Sequence, residues 1–400
     1  MPKTHTEANI QGGKIMGIRS TWAALAAAAA LAALSAGARA DEVTFGFTGP
    51  LSGGAALYGK NTLSGLEMAA KEINAEGGFQ VAGKTYTINL VALDDKYAPS
   101  EAAVNAKRLK AQYNAPIVFV PHSGGAFALQ AFNEQDGFIV GAYSSVPTIT
   151  GRGNSLTLRI PPSFMGYVEP FVRTQMAAFG KKLAVANADH DYAKSWTKAL
   201  VPAWEAAGGT VVADNPMSYN KDTDFYSGVA RVLASGPDVM FVGGASEPTS
   251  LVIRQARELG FAGGFAVMDQ AKLDELARML DGFELLEGAV GVMPLVHDRR
   301  PGAEGFVAKY RALHGKDPGS ENSYNYSAVN AVARAMTLAG TVSDPKAIHA
   351  KLNEAYASLP SERNPSRVTG VDEHGGSNAQ IIIGMVKNGA IVPVEGPAGK

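Results

Sequence analysis

The 400-residue chain contains no cysteine. That absence excludes a disulfide scaffold, thiolate metal sites and a cysteine nucleophile. It also lacks a charge of one sign: 36 Lys and Arg stand against 37 Asp and Glu, so no global basic field would hold nucleic acid. Only seven histidines occur, and no G-x-S-x-G elbow, which leaves no evident catalytic triad, although one scattered through the sequence stays open. Long apolar runs are absent with one exception, Trp22 to Ala36, an almost unbroken Ala/Leu stretch. Lys14 and Arg19 precede it, and Ala38-Arg39-Ala40 closes it. A basic start, a short apolar core and an A-x-A site predict a secretory signal peptide over 1–40, cleaved after Ala40, with Met1 or Met16 as its start. The run is short for a spanning helix, which needs ~20 residues. With no cysteine after the cleavage site, a lipoprotein anchor is excluded.

What remains is apolar enough to fold: hydrophobic residues make up 46% and charged residues 18%, which argues against extended disorder. Removing four basic and one acidic residue leaves 32 basic and 36 acidic side chains, a mildly acidic exported protein. Short apolar runs alternate with amphipathic stretches. Strands are expected at 43–47, 86–93, 117–120 and 138–141, with helices at 63–73, 100–112 and 126–135 between them. The rhythm restarts after Pro161-Pro162: helices at 165–179, 193–207, 223–234 and 248–259, and strands at 183–188, 210–212, 239–242 and 265–268. This alternation predicts an α/β fold of parallel sheets in two doubly wound lobes, divided near 160. Ligands of such sheets bind beyond the carboxyl ends of the strands, so the residues directly after each strand are the candidates.

Gly54 to Asn61 approaches a phosphate-binding loop, but Asn61 stands where Mg²⁺ coordination needs Ser or Thr. Asp189-His190-Asp191 lacks a matching set of metal ligands, and no metal or cofactor is expected. His122-Ser123-Gly124-Gly125 says more. It follows a strand and opens a helix, so Ser123 is expected to cap that helix, with the amides of Gly124 and Gly125 free to meet an anion. Plain capping is the simpler alternative. Tyr143-Ser144-Ser145 supplies a second donor-rich loop. On the other half, Tyr192, Ser246 and Asp269 each follow a strand. An acid at 269 could balance a ligand ammonium, or could serve only as a helix-terminal acid.

Several ordered stretches carry a resemblance: Gly49-Pro50-Leu51-Ser52-Gly53, Tyr58-Gly59, Glu72 to Gly78, Asp94-Asp95, Thr148 to Gly151, Asp222 to Phe225 and Arg254 to Gly260. Together, over about 42–395, they resemble the branched-chain amino-acid-binding family of periplasmic binding proteins, the type I receptors of ABC importers. The resemblance implies two Rossmann-like lobes joined by three hinge crossings, with 41–161 plus 294–368 in one lobe and 162–293 plus 369–400 in the other. It implies that Tyr58, Ser123, Ser144 and Ser145 hold the ligand and its carboxylate, while Tyr192, Ser246 and Asp269 close over it and meet the ammonium. It also implies that His122 and Lys96 stand where some relatives pair two cysteines. The family's amine-binding acid is commonly Glu, and Asp269 is one methylene shorter. Phe127, Tyr143 and Tyr326 are candidates for the pocket wall.

The expected function is therefore a non-enzymatic, monomeric periplasmic receptor that closes on a small amino acid, branched-chain or otherwise apolar. It would deliver the ligand to an inner-membrane ABC permease. Alternatives are a receptor for a carboxylate without an amine, such as an aromatic acid, or for an amide, an exported sensory module, and an exported hydrolase built on Ser123 and His122. Adjacent residues rarely meet in nucleophile–base geometry, which weighs against the last.

Overall fold

A computed structural model describes residues 1–5, 7 and 40–394. The expected signal peptide therefore lies almost wholly outside the described residues. Among those described, no helix is long and apolar enough to cross a membrane.

Among the described residues, 41–394 form one compact unit. Its strands are β1 (Asp41–Gly49), β2 (Phe79–Val81), β3 (Lys84–Asp94), β4 (Ile117–Val120), β5 (Ile139–Ala142) and β6 (Thr157–Arg159), then β7 (Lys182–Val185), β8 (Thr210–Asp214), β9 (Val239–Val242), β10 (Gly264–Val267) and β11 (Val290–Val292). Four short strands close the chain: β12 (Gly370–Val371), β13 (Ser377–Asn378), β14 (Ile383–Lys387) and β15 (Ala390–Pro393). The helices of the first half are α1 (Ala56–Ala75), α2 (Pro99–Tyr113), α3 (Ser123–Gln130) and α4 (Asn133–Asp136). Next come α5 (Met165–Ala178), α6 (Asp191–Ala206), α7 (Tyr226–Leu233), α8 (Ser246–Glu258) and α9 (Leu273–Met279). The last are α10 (Ala303–His314), α11 (Ser320–Ala339), α12 (Pro345–Ala350) and α13 (Leu352–Ala357).

The first sheet has the order β2-β3-β1-β4-β5-β6 and the second β15-β14-β11-β10-β9-β7-β8. In the first, β1 lies between β3 and β4 and is parallel to both. In the second, β7 lies between β8 and β9 in the same way. Each sheet thus reverses its winding at that strand, which opens a crevice at the carboxyl ends of β1 and β4 in one lobe and of β7 and β9 in the other. The central strands Ile117–Val120, Val239–Val242 and Gly264–Val267 are buried throughout. Helices cover both faces there, which explains their continuous rather than alternating apolar runs.

The chain passes three times between the sheets: from β6 to α5 through Pro161-Pro162, from β11 to α10, and from β13 to β14. The third crossing falls later than the expected 368. Residues 370–378 form the β12–β13 hairpin, Gly376 bridges to Arg159 at the edge of the first sheet, and Val371 lies in the core beside that sheet. Helices also differ in detail. The stretch expected as one helix over 126–135 splits into α3 and α4, and α7 begins at Tyr226 because Phe225 donates its amide to Gln255 Oε1 instead of opening a turn at 223.

Candidate functional site

The loop after β1 is shaped by Asp94 at the end of β3. Its carboxylate accepts from Leu51 N at 2.8 Å, from Ser52 Oγ at 2.5 Å and from Lys96 N at 2.9 Å. Partial burial pushes this carboxyl up, but the bonds from Ser52, Leu51 and Lys96 outweigh it and hold the group below its ordinary value. Gly59 lets α1 lie against that loop: a Cβ there would come within 1.8 Å of the Pro50 carbonyl oxygen. The phosphate-loop reading fails on the same geometry, since Gly59 and Lys60 are helical and Lys60 is exposed. Tyr58, one residue earlier, donates its hydroxyl proton to Pro121 O at 2.8 Å, which leaves only its oxygen free to accept.

Beyond β4 the expected cap shifts by one residue. His122, not Ser123, caps α3: its Nδ1 accepts from Gly125 N at 2.9 Å, so that amide is not free for an anion. The same ring meets Asp95 Oδ2 through Nε2 at 2.9 Å and stacks on Tyr97 with centroids 4.6 Å apart. With Nδ1 accepting, the network assigns the proton to Nε2 and directs it at Asp95. His122 therefore pairs with Asp95 and not with exposed Lys96, and is not placed to activate Ser123. Ser123, freed of capping, meets Ser144 Oγ at 2.7 Å. Among the described residues the first-turn amides of Ser123 and Gly124 have no intrachain partner, so anion donors remain at this helix end.

Across the lobe boundary, Asp269 follows β10 and gathers donors from both sides. Ser145 Oγ of the first lobe donates to Oδ2 at 2.6 Å, Trp196 Nε1 of the second donates to Oδ1 at 3.0 Å, and the Tyr192 hydroxyl donates to Oδ1 as well. Burial and the Asp269 charge push the Tyr192 phenol far above its ordinary value, so it stays protonated and acts as a donor. Trp196 sits one helical turn after Tyr192 on α6 and stacks on Phe164 at 4.5 Å, which fixes its N–H. His190, which accepts from Ala193 N at 3.3 Å, is pushed down to about 4 chiefly by burial and is neutral near pH 7. Asp189 is spent on Ser218 Oγ, at 2.5 Å. Among the described residues no group of three His, Asp or Glu is placed to hold a metal.

Two cavities meet at these residues. The smaller, about 20 Å³, is lined by Tyr58, Ser123, Ser144, Ser145, Tyr192 and Asp269, together with Tyr97, Gln270 and Lys272. The larger, about 60 Å³, shares Tyr143, Pro161 and Asp269 with it and continues past Tyr167, Leu295, Tyr324 and Ile382. One water needs roughly 10–15 Å³, so the first space has room for one or two waters and the second for several.

Six of the seven expected residues converge here. Ser246 does not: it is buried at the start of α8, donates to Glu275 Oε2 at 2.6 Å and accepts from Lys272 N at 3.1 Å. Of the expected wall residues, Tyr143 lines both cavities. Phe127 instead lies under the Arg152 guanidinium, and Tyr326 is buried in the first lobe, donating to Glu72. Sequence reasoning missed Gln270 and Lys272, which the loop after β10 could have suggested through Asp269. It missed Tyr97 because only an unusual left-handed backbone at Lys96 and Tyr97 turns that ring into the site.

The periplasmic binding protein family profile matches residues 42–389. An amino acid binding protein of Pseudomonas aeruginosa is 30% identical over 322 residues, covering 78% of this chain and 83% of that protein. A leucine-specific-binding protein of Salmonella typhimurium is 24% identical over 317 residues, 76% of this chain and 81% of its own. The solved branched-chain amino acid transporter substrate-binding protein of Streptococcus pneumoniae, in complex with isoleucine, superposes with a TM-score of 0.73 at 22% identity, covering 88% of this chain and all of that one. With two doubly wound sheets, three crossings and a cavity at their switch points, this chain belongs to the periplasmic binding protein family.

Proposed function

We propose that the protein is the periplasmic receptor of an ABC importer and captures a small amino acid, branched-chain or otherwise apolar, between its two lobes. One observation carries the reading: a carboxylate dressed by donors from both lobes, Asp269, stands across a small cavity from the hydroxyls of Ser123 and Ser144. An ammonium replaces the Ser145 bond on Asp269, and a carboxylate takes the serine hydroxyls and the first-turn amides of α3. The names of the relatives support the amino-acid class. No bond is made or broken. Closure excludes water, which strengthens the polar contacts at both ends of the ligand. Micromolar binding corresponds to ~8 kcal/mol, within reach of a few charge-assisted hydrogen bonds and apolar burial. The same reading includes export through the 1–40 leader, a monomer, and docking on an inner-membrane permease.

Mass spectrometry of the small molecule that co-purifies tests the class: an amino acid is expected, and an aromatic acid alone would replace the reading with the amine-free alternative. Ser123→Ala is expected to weaken an amino acid by ~1.5 kcal/mol, about tenfold, the lower range for a hydrogen bond to a charged group. Equal calorimetric affinities would reduce Ser123 to a structural partner of Ser144.

A further inference from the structure

Behind Lys272, away from the cavity, two carboxylates from opposite lobes are buried side by side. Glu275 on α9 and Glu321 on α11 are 5% and 1% exposed, and Asn61 Nδ2 on α1 bridges them at 2.8 and 3.2 Å. The surroundings supply one buried ammonium: Lys272 Nζ lies 3.7 Å from Glu321 Oε2 and is itself held by the carbonyls of Asp269 and Gln270. Lys316, exposed, reaches only Asn61 Oδ1, at 2.8 Å. Asp274 adds a third acid nearby but is met by Arg278 at 3.6 Å, and Tyr310 on α10 faces the pair as a neutral phenol. Glu321 Oε2 has no hydrogen-bond partner among the described residues. Two buried carboxylates beside one ammonium are a charge excess that a proton relieves. Ser246 fits either state, because its hydroxyl can give or take a proton toward Glu275 Oε2.

We propose that Glu275 and Glu321, bridged by Asn61, form a proton-sensitive clasp that holds the two lobes together and loosens as the pH rises. The proposal rests on the reading that the lobes close on a ligand. Burial first and Glu321 second raise the Glu275 carboxyl from 4.5 to about 7 in this arrangement. When the lobes part, Glu275 regains water, loses its neighbour and returns toward 4.5. Closure therefore takes up a proton. Its contribution is fully present below about pH 4.5 and is lost as the pH rises through about 7. Between pH 6 and 8.5 the closing constant is expected to fall about tenfold, the factor one such proton gives. By linkage, ligand affinity falls with it.

The missing cysteines make the measurement direct. Lys71→Cys on the first lobe and Leu259→Cys on the second, both exposed, take spin labels whose separation reports closure. With and without L-leucine, the closed fraction of the labelled protein is expected to drop from pH 6 to 8.5. In Glu275→Gln, which keeps the size and can still meet Asn61 and Ser246, it should be the same at both. Glu321→Gln should move the midpoint to lower pH. An identical response in the parent and Glu275→Gln, or a closed fraction indifferent to pH, overturns the clasp. If L-leucine changes the separation at no pH, the ligand assignment fails, while the ligand-free response still decides the clasp.

Discussion

Replacing Asp269 by Asn is expected to reduce amino-acid affinity by roughly 30- to 5000-fold, or ~2–5 kcal/mol, the range for removing one partner of a buried charge pair. Asn keeps the volume, and its carbonyl can still accept from Trp196 and Tyr192, so the fold should survive. What is lost is the charge. An ammonium drawn out of water would face hydroxyls and an amide, none able to repay its desolvation. Calorimetry on the variant and the parent, with the co-purified amino acid or L-leucine, decides the matter. An unchanged Kd would remove the ammonium from this corner of the cavity. The same pair of proteins separates the alternative ligand class, because a carboxylate without an amine should bind Asp269→Asn more tightly than the parent once the repelling charge is gone.

Trp196→Ala should be the most damaging substitution to the fold of the second lobe. The indole is fully buried, stacked on Phe164 and Phe171 at 4.5 and 5.8 Å, tilted against Phe241, and bonded to Asp269. Truncation loses the burial and leaves a cavity, at ~3–5 kcal/mol, a large part of the 5–15 kcal/mol typical of a folded protein. The expected result is a denaturant midpoint well below the parent's. Trp196→Phe separates packing from positioning. It should recover most of the stability but weaken the ligand, because Asp269 loses the N–H that orients it. A loss under ~1 kcal/mol in Trp196→Ala would show that the second lobe does not depend on this stack.

The sequence displays some of this plainly and hides the rest for physical reasons. The strands 117–120 and 239–242 stand out because both faces are covered, so every residue is apolar. The stretches after the strands can be picked out by position alone, and Ser123, Ser144, Tyr192 and Asp269 follow β4, β5, β7 and β10. Helix Ser320–Ala339 gives no such signal. It is buried on nearly all sides, yet Asn322, Asn325, Ser327 and Asn330 interrupt its apolar face: Asn325, Ser327 and Asn330 donate back to carbonyls four residues earlier in the same helix, and Asn322 reaches Asn61 O on α1. Ser246 misled for the opposite reason: its place after a strand is right, but its hydroxyl is consumed by Glu275 from the next helix. His122 took the cap from Ser123 because an imidazole on an extended backbone can also reach the amide three residues on.

The late return of the chain to the first sheet constrains its assembly. Helix α1 packs Gly65 against the carbonyl of Asn322 so closely that a Cβ would lie 2.3 Å away. Asn322 in turn donates to Asn61 O at 2.6 Å and to Ser64 Oγ at 2.9 Å. That partner leaves the ribosome only after the whole intervening lobe has been synthesised. Until then the side of α1 that packs on Asn322 stays uncovered. Such long-range pairing slows maturation and leaves sticky surface exposed to other chains. A nascent polypeptide of this design therefore completes that contact only once the distant segment has appeared.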